Sequence, residues 1–594
     1  MTNTINRISK IGLFIVGILL SQVGFAQEEE EESTIGTEVV NVVKPYTPTI
    51  SDAFKVKATP KLNDSITTVK KKVTYSIFSV PVASTFTPAK GKATAVKKAK
   101  KVKLYDNYAT LGFGNFTSVL AEFYSNFQIS RTENFGVFLN HNSSQGGIES
   151  AIVDDFFYDT RLNLNYGARE RDYNWRADLD IKHQVYNWYG IPEELEQITT
   201  TDNELLFNDD FDVTHSFFTA GINGAIDVQD SFFKEANATL RYFGDSESSA
   251  ELRAIIKPTF ELPIAGELIT TKLTADYVGG SFDATFEDVD TSIDYSFFNV
   301  GIHPSLTILR DDLEVNLGVE AFVSLNTEAS DSDIFFYPKI TASYNVLGDL
   351  FIAYAGLDGG LQQNNYHDFA QENPFISPTL FINPTDRQFD GFLGAKGKLS
   401  EAFSYNVRAS FKSESNKALF RHNPYSQSGT GFGINGFSNG NSFNVIYDDV
   451  TTVGGFAELN VDVNANFKLK INGRFNTYST DNEEEAWNLP ELQASFFADY
   501  QITEQWFAGV NLFFTGERED LVFSDDPLDL LVEPSVVTLE SYFDANAHVG
   551  YRFNDRLSVF GRVNNIFNSD YDKWLNYEVQ GIQALAGATY KFDF

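Results

Sequence analysis

The sequence of 594 residues contains no cysteine, and its only methionine is Met1. Without cysteine the chain has no disulfide framework, no thiolate metal site and no thiol nucleophile. Long apolar runs are also lacking, because after residue 30 no stretch approaches the ~20 apolar residues that a transmembrane helix needs. Helical periodicity of useful length is missing there as well. If the body of the chain lies in a membrane, it must cross it as a β-barrel.

Positive charge is scarce and unevenly placed. The net charge is −36, which excludes broad binding to nucleic acid. Most lysines of the first hundred residues lie between residues 44 and 103, whereas the chain from Tyr105 onward is strongly acidic. A basic segment before an acidic body predicts two parts that occupy two environments.

Alternation of apolar and polar residues is what the chain has in abundance. Aromatic residues make up 15%, with 55 Phe and 27 Tyr, and 22 alternating runs follow one another from Tyr105 to the end. The last run sets Ile582, Ala584, Ala586, Ala588, Tyr590, Phe592 and Phe594 against Thr589, Lys591 and Asp593. Because ionised side chains on one face need water and apolar side chains on the other need lipid, the pattern predicts an all-β protein. We expect a transmembrane, antiparallel outer-membrane β-barrel of about 22 strands.

The predicted connections alternate between short and long. Short turns such as Gly348-Asp349 and Asn554-Asp555 contrast with long, acidic or Asn- and Gly-rich loops. The predicted long loops are 188–211, 359–387, 414–444, 517–539 and 568–579. Short turns on one rim and long loops on the other are typical of bacterial outer-membrane barrels, in which the long loops face the outside.

The first 26 residues have the features of a secretory signal peptide. Arg7 and Lys10 precede an apolar core from Ile11 to Leu20, and small residues stand before Ala26. The predicted domains are therefore a signal peptide at 1–26, a basic periplasmic arm at 27–104 and a barrel at 105–594. These features predict a location in the outer membrane of a Gram-negative bacterium, in contact with its lipid.

Two segments of the predicted arm are candidates for binding a partner. A short acidic-then-apolar segment resembles a TonB box, which pairs with TonB as an added strand: Glu38, Val39, Val40, Asn41, Val42 and Val43. The alternative is a local strand, or a strand that docks on the chain's own barrel. A basic cluster closes the arm: Lys97, Lys98, Lys100, Lys101 and Lys103. This cluster either binds an acidic partner or lipid phosphates, or is a solvated flank that orients the first strand.

The end of the chain resembles a known family. Tyr551-Arg552-Phe553, the step Val563-Asn564-Asn565-Ile566-Phe567-Asn568 and an aromatic end at Tyr590, Phe592 and Phe594 resemble the last strands of TonB-dependent outer-membrane receptors. The resemblance covers about the last 55 residues, and it suggests the type found in Bacteroidota. It implies a 22-strand barrel, a barrel-closing signal in the three aromatic residues, and import of a solute with TonB as a partner.

The chain departs from that family before the barrel. Residues 27–104 show no motif of the globular plug that fills the lumen of such receptors. Since a 22-strand barrel encloses a wide lumen, something else is expected to occlude it. The candidates are the arm, long loops folded inward, or a partner such as a surface lipoprotein or another envelope protein. The alternative function is therefore a plugless accessory or structural barrel in a multi-protein complex.

Motifs for chemistry are weak. Gly436 to Gly440 matches G-x-S-x-G, but it falls in a predicted loop without the following helix that a nucleophile elbow needs. Gly431 to Gly436 matches G-x-G-x-x-G without a βαβ unit, and it is interpreted as flexible loop sequence. The sequence predicts no enzyme activity, no catalytic residues, no cofactor and no metal.

Overall fold

The computed structural model describes residues 103–192, 211–286, 291–425, 436–523 and 534–593. Apart from one helix of seven residues, α1 at Tyr366–Glu372, the regular structure is β. The strands are β1 Asn107–Gly114, β2 Val119–Gln128, β3 Glu133–Ser144, β4 Phe157–Arg169, β5 Tyr173–Asn187, β6 Thr214–Val228, β7 Phe233–Asp245, β8 Ala250–Ile264, β9 Glu267–Phe282, β10 Ile293–Arg310, β11 Leu313–Asn326, β12 Asp331–Asn345, β13 Ile352–Gln362, β14 Thr385–Ser400, β15 Phe403–His422, β16 Phe443–Asn464, β17 Phe467–Thr480, β18 Leu492–Gln501, β19 Trp506–Thr515, β20 Arg518–Val522, β21 Ser535–Leu539, β22 Tyr542–Arg552, β23 Leu557–Asn564, β24 Asp572–Trp574, β25 Tyr577–Glu578 and β26 Gln583–Phe592.

Twenty-two of these strands form one closed antiparallel barrel. Each barrel strand pairs with its neighbours along the chain, and the barrel closes where β1 pairs with β26, from Asn107 opposite Phe592 to Gly114 opposite Leu585. The remaining four strands form two separate hairpins, β20–β21 and β24–β25. The predicted all-β barrel of about 22 strands is confirmed.

The two rims of the barrel differ as predicted. One rim, the short-turn rim, carries connections such as the two-residue turn Ala265-Gly266 between β8 and β9. Both turn residues have positive φ, 54° and 91°, as a tight hairpin turn requires. The other rim, the long-loop rim, carries all the long connections that were predicted. Lys103 and Asp593 form an ion pair of 2.9 Å beside the short-turn ends of β1 and β26.

The outer and inner faces of the barrel differ in polarity. Large apolar side chains stand exposed on the outside, among them Leu111 (56%), Phe336 (72%) and Leu393 (67%). Alternate residues face inward and pair with polar groups, as where the hydroxyls of Thr110 and Thr589 lie 2.9 Å apart. An apolar outer belt around a polar lumen is the arrangement of a barrel in a bilayer.

Four of the predicted loops differ from the sequence prediction. The predicted loop 414–444 is shorter, because β15 continues to His422 and β16 already begins at Phe443. The predicted loops 517–539 and 568–579 contain the hairpins β20–β21 and β24–β25. The predicted loop 359–387 contains α1, which is too short to show helical periodicity. Among the described residues, no helix is long and apolar enough to cross a membrane.

Candidate functional site

The connection between β13 and β14 folds into the lumen. We call residues 363–384 the inner loop, and α1 lies in its first half. On one side it contacts the inward faces of β5 and β7 to β10, and on the other it contacts β15 and β16. The inner loop therefore crosses the barrel from wall to wall, as the prediction of an inward-folded long loop proposed.

Tyr366 is the most enclosed anchor of the inner loop. Its side chain is 0% exposed. Its backbone N–H donates to the Glu251 carboxylate at 2.6 Å, and its hydroxyl donates to the Asp245 carboxylate at 2.6 Å. Tyr295 donates a further hydrogen bond to Glu251 at 2.8 Å. Burial, and then the negative charge of Asp245, raise the pKa of Tyr366 well above its usual value, so the phenol remains a donor.

Asp368 provides an ionic anchor in the first turn of α1. Its carboxylate lies 3.3 Å from Arg241 of β7 and 3.3 Å from Arg253 of β8. Arg253 also pairs with Asp276 of β9 at 2.8 Å. Burial alone would raise the pKa of Asp368, but a hydrogen bond to His367 and the charge of Arg241 outweigh it and hold this pKa well below its usual range. The carboxylate therefore stays ionised and fixes α1 to the wall.

Aromatic packing joins the inner loop to both walls. The ring of Tyr366 meets those of Phe217, Phe243 and Phe282, with centroids 4.9 to 6.3 Å apart. On the opposite wall, Phe369 packs edge-on against Phe420 at 5.8 Å. Each fully buried aromatic side chain of this kind contributes about 1.5–3 kcal/mol. The loop is thus held by a hydrophobic core as well as by charges.

The long-loop rim is closed above the inner loop by an aromatic cluster, which we call the rim cluster. Trp188 is 1% exposed, stacks on His215 at 4.1 Å and meets Phe437 at 5.4 Å. Tyr577 of the β24–β25 hairpin stacks on Phe375 of the inner loop at 3.8 Å. Segments from five connections therefore pack into one hydrophobic core with the inner loop.

Hydrogen bonds tie the same segments together. The Asn441 side chain donates to the Trp188 carbonyl at 2.7 Å, and Tyr577 donates to the carbonyl of Asn441. Tyr189 donates to the Glu578 carbonyl at 2.9 Å. The Arg518 guanidinium donates to the carbonyl of Asp572 at 2.8 Å. The long loops form a single packed layer, since each is bonded to another.

The G-x-S-x-G match lies within this layer. Gly436 packs so closely on Asp212 that a Cβ would approach its carbonyl to 2.8 Å, and Gly440 has a φ of +65°. Ser438 is 7% exposed, and no helix follows it, as predicted. Gly436 is the one described residue of the neighbouring glycine-rich match, which was interpreted as flexible loop sequence. Packing against Trp188 and Val213 fixes it, a contact that the local sequence does not reveal.

The residues predicted as sites from the sequence do not join this lumen site. Tyr590 points outward on β26 and is 46% exposed, with Phe592 stacked 6.0 Å from it. Lys103 lies at the short-turn rim, with its ammonium 4.7 Å from the ring of Tyr105. The other predicted residues lie outside the described residues: Glu38 to Val43, Lys97, Lys98, Lys100, Lys101 and Phe594.

Sequence reasoning missed the residues that anchor the inner loop. Glu251 and Arg253 alternate with the outward-facing Leu252 on β8, so the strand pattern placed them on the lumen face. Their partners, Tyr366 and Asp368, lie over a hundred positions away in a loop. Among the described residues, no group of three or more His, Asp or Glu side chains is placed to hold a metal ion.

Asp520 makes the closure of the long-loop rim dependent on pH. It is 0% exposed in β20 and accepts from the His422 N–H at 3.0 Å and the Asn488 amide at 2.8 Å. Burial raises its pKa to about 6, because these hydrogen bonds only partly compensate for lost hydration. The packed hairpin binds this proton more tightly than the opened hairpin. Stability from this group is therefore full below about pH 4 and falls as pH rises to about 6.

We expect Asp520→Asn to abolish this component of the pH dependence. In the unmodified protein, protonation of Asp520 should strengthen hairpin closure by up to about 3 kcal/mol between pH 6 and 4, at about 1.4 kcal/mol per pKa unit. Hydrogen exchange of residues 518–523 and 534–539, corrected for intrinsic rates, measures it. Glu517→Gln at the exposed start of the same hairpin is the control. Equal pH slopes in the unmodified protein and in Asp520→Asn would contradict the prediction.

Comparison with solved structures finds a similar barrel fold in outer-membrane receptors. The pyoverdine outer-membrane receptor FpvA of Pseudomonas aeruginosa matches 83% of this chain over 79% of its own, with a TM-score of 0.60 and 13% identity. The ferric-catecholate import receptor Fiu of E. coli K12 matches 82% of each chain, with a TM-score of 0.58 and 12% identity. The FrpB iron transporter of Neisseria meningitidis also covers 82% of each chain, with a TM-score of 0.59 and 11% identity.

The fold is that of these receptor barrels. This agrees with the resemblance of the last strands to TonB-dependent receptors. No protein-family model matches the sequence, and no curated protein matches it. At such low identity the likeness shows the shared architecture, while the inner loop and the rim cluster are described by this chain's own contacts.

Proposed function

We propose that this protein is an outer-membrane receptor that imports a solute into a Gram-negative bacterium. The observation that carries the proposal is the closed barrel of 22 strands whose lumen is crossed by an anchored loop. The receptors and transporters with similar folds support this function. The proposal includes no catalytic step.

In this proposal the long-loop rim faces outward and receives the solute. The rim cluster and inner loop must then move or open to admit it, because both are packed across the route. A surface lipoprotein that delivers solute at this rim is the outer partner we expect. The basic cluster at residues 97–103 would contact acidic groups on the periplasmic side.

Energy for opening would come from TonB through the segment from Glu38 to Val43. An acidic-then-apolar strand can add to a partner's sheet edge through main-chain hydrogen bonds, so its affinity does not require a folded domain around it. Such a contact would transmit a pull from the inner membrane to the receptor.

Deleting residues 38–43 is expected to abolish uptake while leaving the barrel in the outer membrane. Growth of the producing bacterium on single limiting nutrients, ferric siderophores among them, measures the loss. A strain that lacks residues 61–66 instead is the matched control. Heat-modifiable migration on gels verifies that each barrel is folded.

The accessory-barrel alternative gives a different result. If the 38–43 deletion grows like the control on every nutrient, and mild-detergent purification recovers a stoichiometric envelope partner, the import proposal is wrong.

A further inference from the structure

A cavity lies in the lumen on the short-turn side of the inner loop. It measures about 660 Å³, a size that accommodates a small organic molecule. It is lined by the inward faces of β13 to β17. On β15 the lining residues Arg408 and Lys412 precede Phe420, where the inner loop touches the wall. The cavity is therefore beyond the inner loop for a solute that enters from the long-loop rim.

The charge of this cavity opposes that of the protein. Five cations line it: Lys396, Arg408, Lys412, Lys417 and Arg474. Asp390 is the only acid among the described lining residues, whereas the whole chain has a net charge of −36. Cations that are concentrated in one cavity of an otherwise acidic chain create a local positive potential, which attracts an anion.

Two of these cations pair with a carboxylate of the wall. Arg408 pairs with Asp390 at 3.2 Å, and Lys417 pairs with Glu414 at 2.7 Å. Within the described part of the chain, Lys396, Lys412 and Arg474 form no ion pair with a carboxylate. The two paired cations neutralise carboxylates of the barrel wall, whereas the three others are available to bind a ligand.

The strand register places Arg474 level with Arg408 and Lys396 two residues away, whereas Lys412 lies four residues nearer the inner loop. Arg408 lies opposite Phe456 on β16, and Phe456 lies opposite Arg474 on β17. On the other side, Lys396 of β14 lies opposite Asn406 of β15. Inward residues of adjacent strands at matched positions are neighbours on the lumen wall. The five cations therefore line one cavity, with Lys396, Arg408 and Arg474 at its far end and Lys412 nearer the inner loop.

Aromatic and amide groups complete the wall. The Tyr354 ring lies 5.7 Å from the Lys396 ammonium, and its hydroxyl donates to Asn406 at 2.6 Å. Asn476 donates to the hydroxyl of Tyr478 at 2.9 Å. Flat rings and amides offer packing and hydrogen bonds to a carbon skeleton, while ammonium and guanidinium groups bind carboxylates or phosphates.

We propose that this cavity binds a multivalent organic anion through Lys396 and Arg474, with Lys412 as a further cation nearer the inner loop. The anion carries carboxylate or phosphate groups. The inference rests on the proposed import function only for its place on the solute's route, since binding itself needs no energy source. A solute released by the inner loop would pass this positively charged cavity before it leaves the barrel.

Calorimetry on the purified full chain in neutral detergent tests the proposal. The probes are citrate for carboxylates and inorganic pyrophosphate for phosphates, with maltotriose as the uncharged comparison. We expect at least one anion to bind, with affinity falling as salt increases, and maltotriose not to bind. The double variant Lys396→Gln, Arg474→Gln should weaken anion binding about tenfold or more, since it removes two charge-assisted contacts.

Lys272→Gln is the matched control, because it removes a lumen lysine from β9, far around the barrel, and should leave the affinity unchanged. Arg474→Gln alone replaces the double variant if the latter does not fold. Absence of binding by both anions at low salt, or equal affinity in the variant and the control, overturns the proposal. Deleting residues 38–43 should not change this binding, so failure of the import proposal is distinguishable from failure of the site.

Discussion

Replacing residues 366–382 by a short Gly-Ser linker is expected to convert the barrel into a wide, steady pore, because it removes the inner loop and also Phe375, on which Tyr577 of the rim cluster stacks. The inner loop crosses the lumen and is fixed to both walls by Tyr366, Asp368 and Phe369. Barrels of 22 strands have a lumen that must be filled to prevent leakage. Single-channel recording in planar bilayers measures the change. The unmodified protein should remain closed, and the variant should conduct at least an order of magnitude more current.

Point variants make this prediction specific to the anchors. Tyr366→Ala removes a fully buried ring and one of the hydrogen-bond donors to the Asp245 carboxylate, at a cost of about 3–5 kcal/mol. It should produce frequent large openings. Phe381→Ala removes an aromatic side chain that is 59% exposed in the same loop, and it should remain closed. Steady large openings in the unmodified full-length protein would show that the inner loop does not occlude the lumen.

Trp188→Ala is expected to loosen the long-loop rim without unfolding the barrel. Trp188 lies between His215 and Phe437 and receives a hydrogen bond from Asn441 on its carbonyl. Removing a buried indole costs about 3–5 kcal/mol through lost burial and the cavity left behind. The barrel strands are stabilised by the hydrogen bonds between them. The loss of stability should therefore affect the connections at the long-loop rim rather than the strands.

Hydrogen exchange separates the two effects. In Trp188→Ala, protection of residues 436–442 and 571–578 should fall by two to three orders of magnitude, as such an energy implies. Protection of β7, β8 and β9 should not change. Trp175→Ala, which removes an outward-facing tryptophan of β5, the strand that ends just before Trp188, is the control and should leave the rim unaffected. Uniform loss of protection across the strands would contradict the independence of rim and barrel.

Strand positions were predictable because the alternation is a local property of the sequence. Each of the 22 predicted runs overlaps one barrel strand, since a face toward lipid and a face toward water impose period two on every span. The differences between the predicted and the observed strand ends lie at the long-loop rim. There β15 and β16 project past the apolar belt, so both faces of these strand ends contact loops and the alternation weakens.

The inner loop shows why the candidate site could not be predicted in full. Its length and position between β13 and β14 were apparent from the sequence, and an inward fold was among the expected ways to fill the lumen. The residues that anchor it were not apparent, because Tyr366 binds Asp245 and Glu251, which are more than a hundred positions away in the sequence. The same holds for the basic cavity, where β14, β15 and β17 each contribute lysine or arginine that looks like an ordinary lumen residue alone.

The sequence by itself determined the fold class, the strand count and the face on which each strand residue lies, because these depend on alternation between neighbours along the chain. Tertiary structure alone decided which charges meet, which loop crosses the lumen and where cations gather without carboxylate partners. The physical reason is that curvature and closure of the barrel bring together residues more than a hundred positions apart, and local pattern carries no information about such distances.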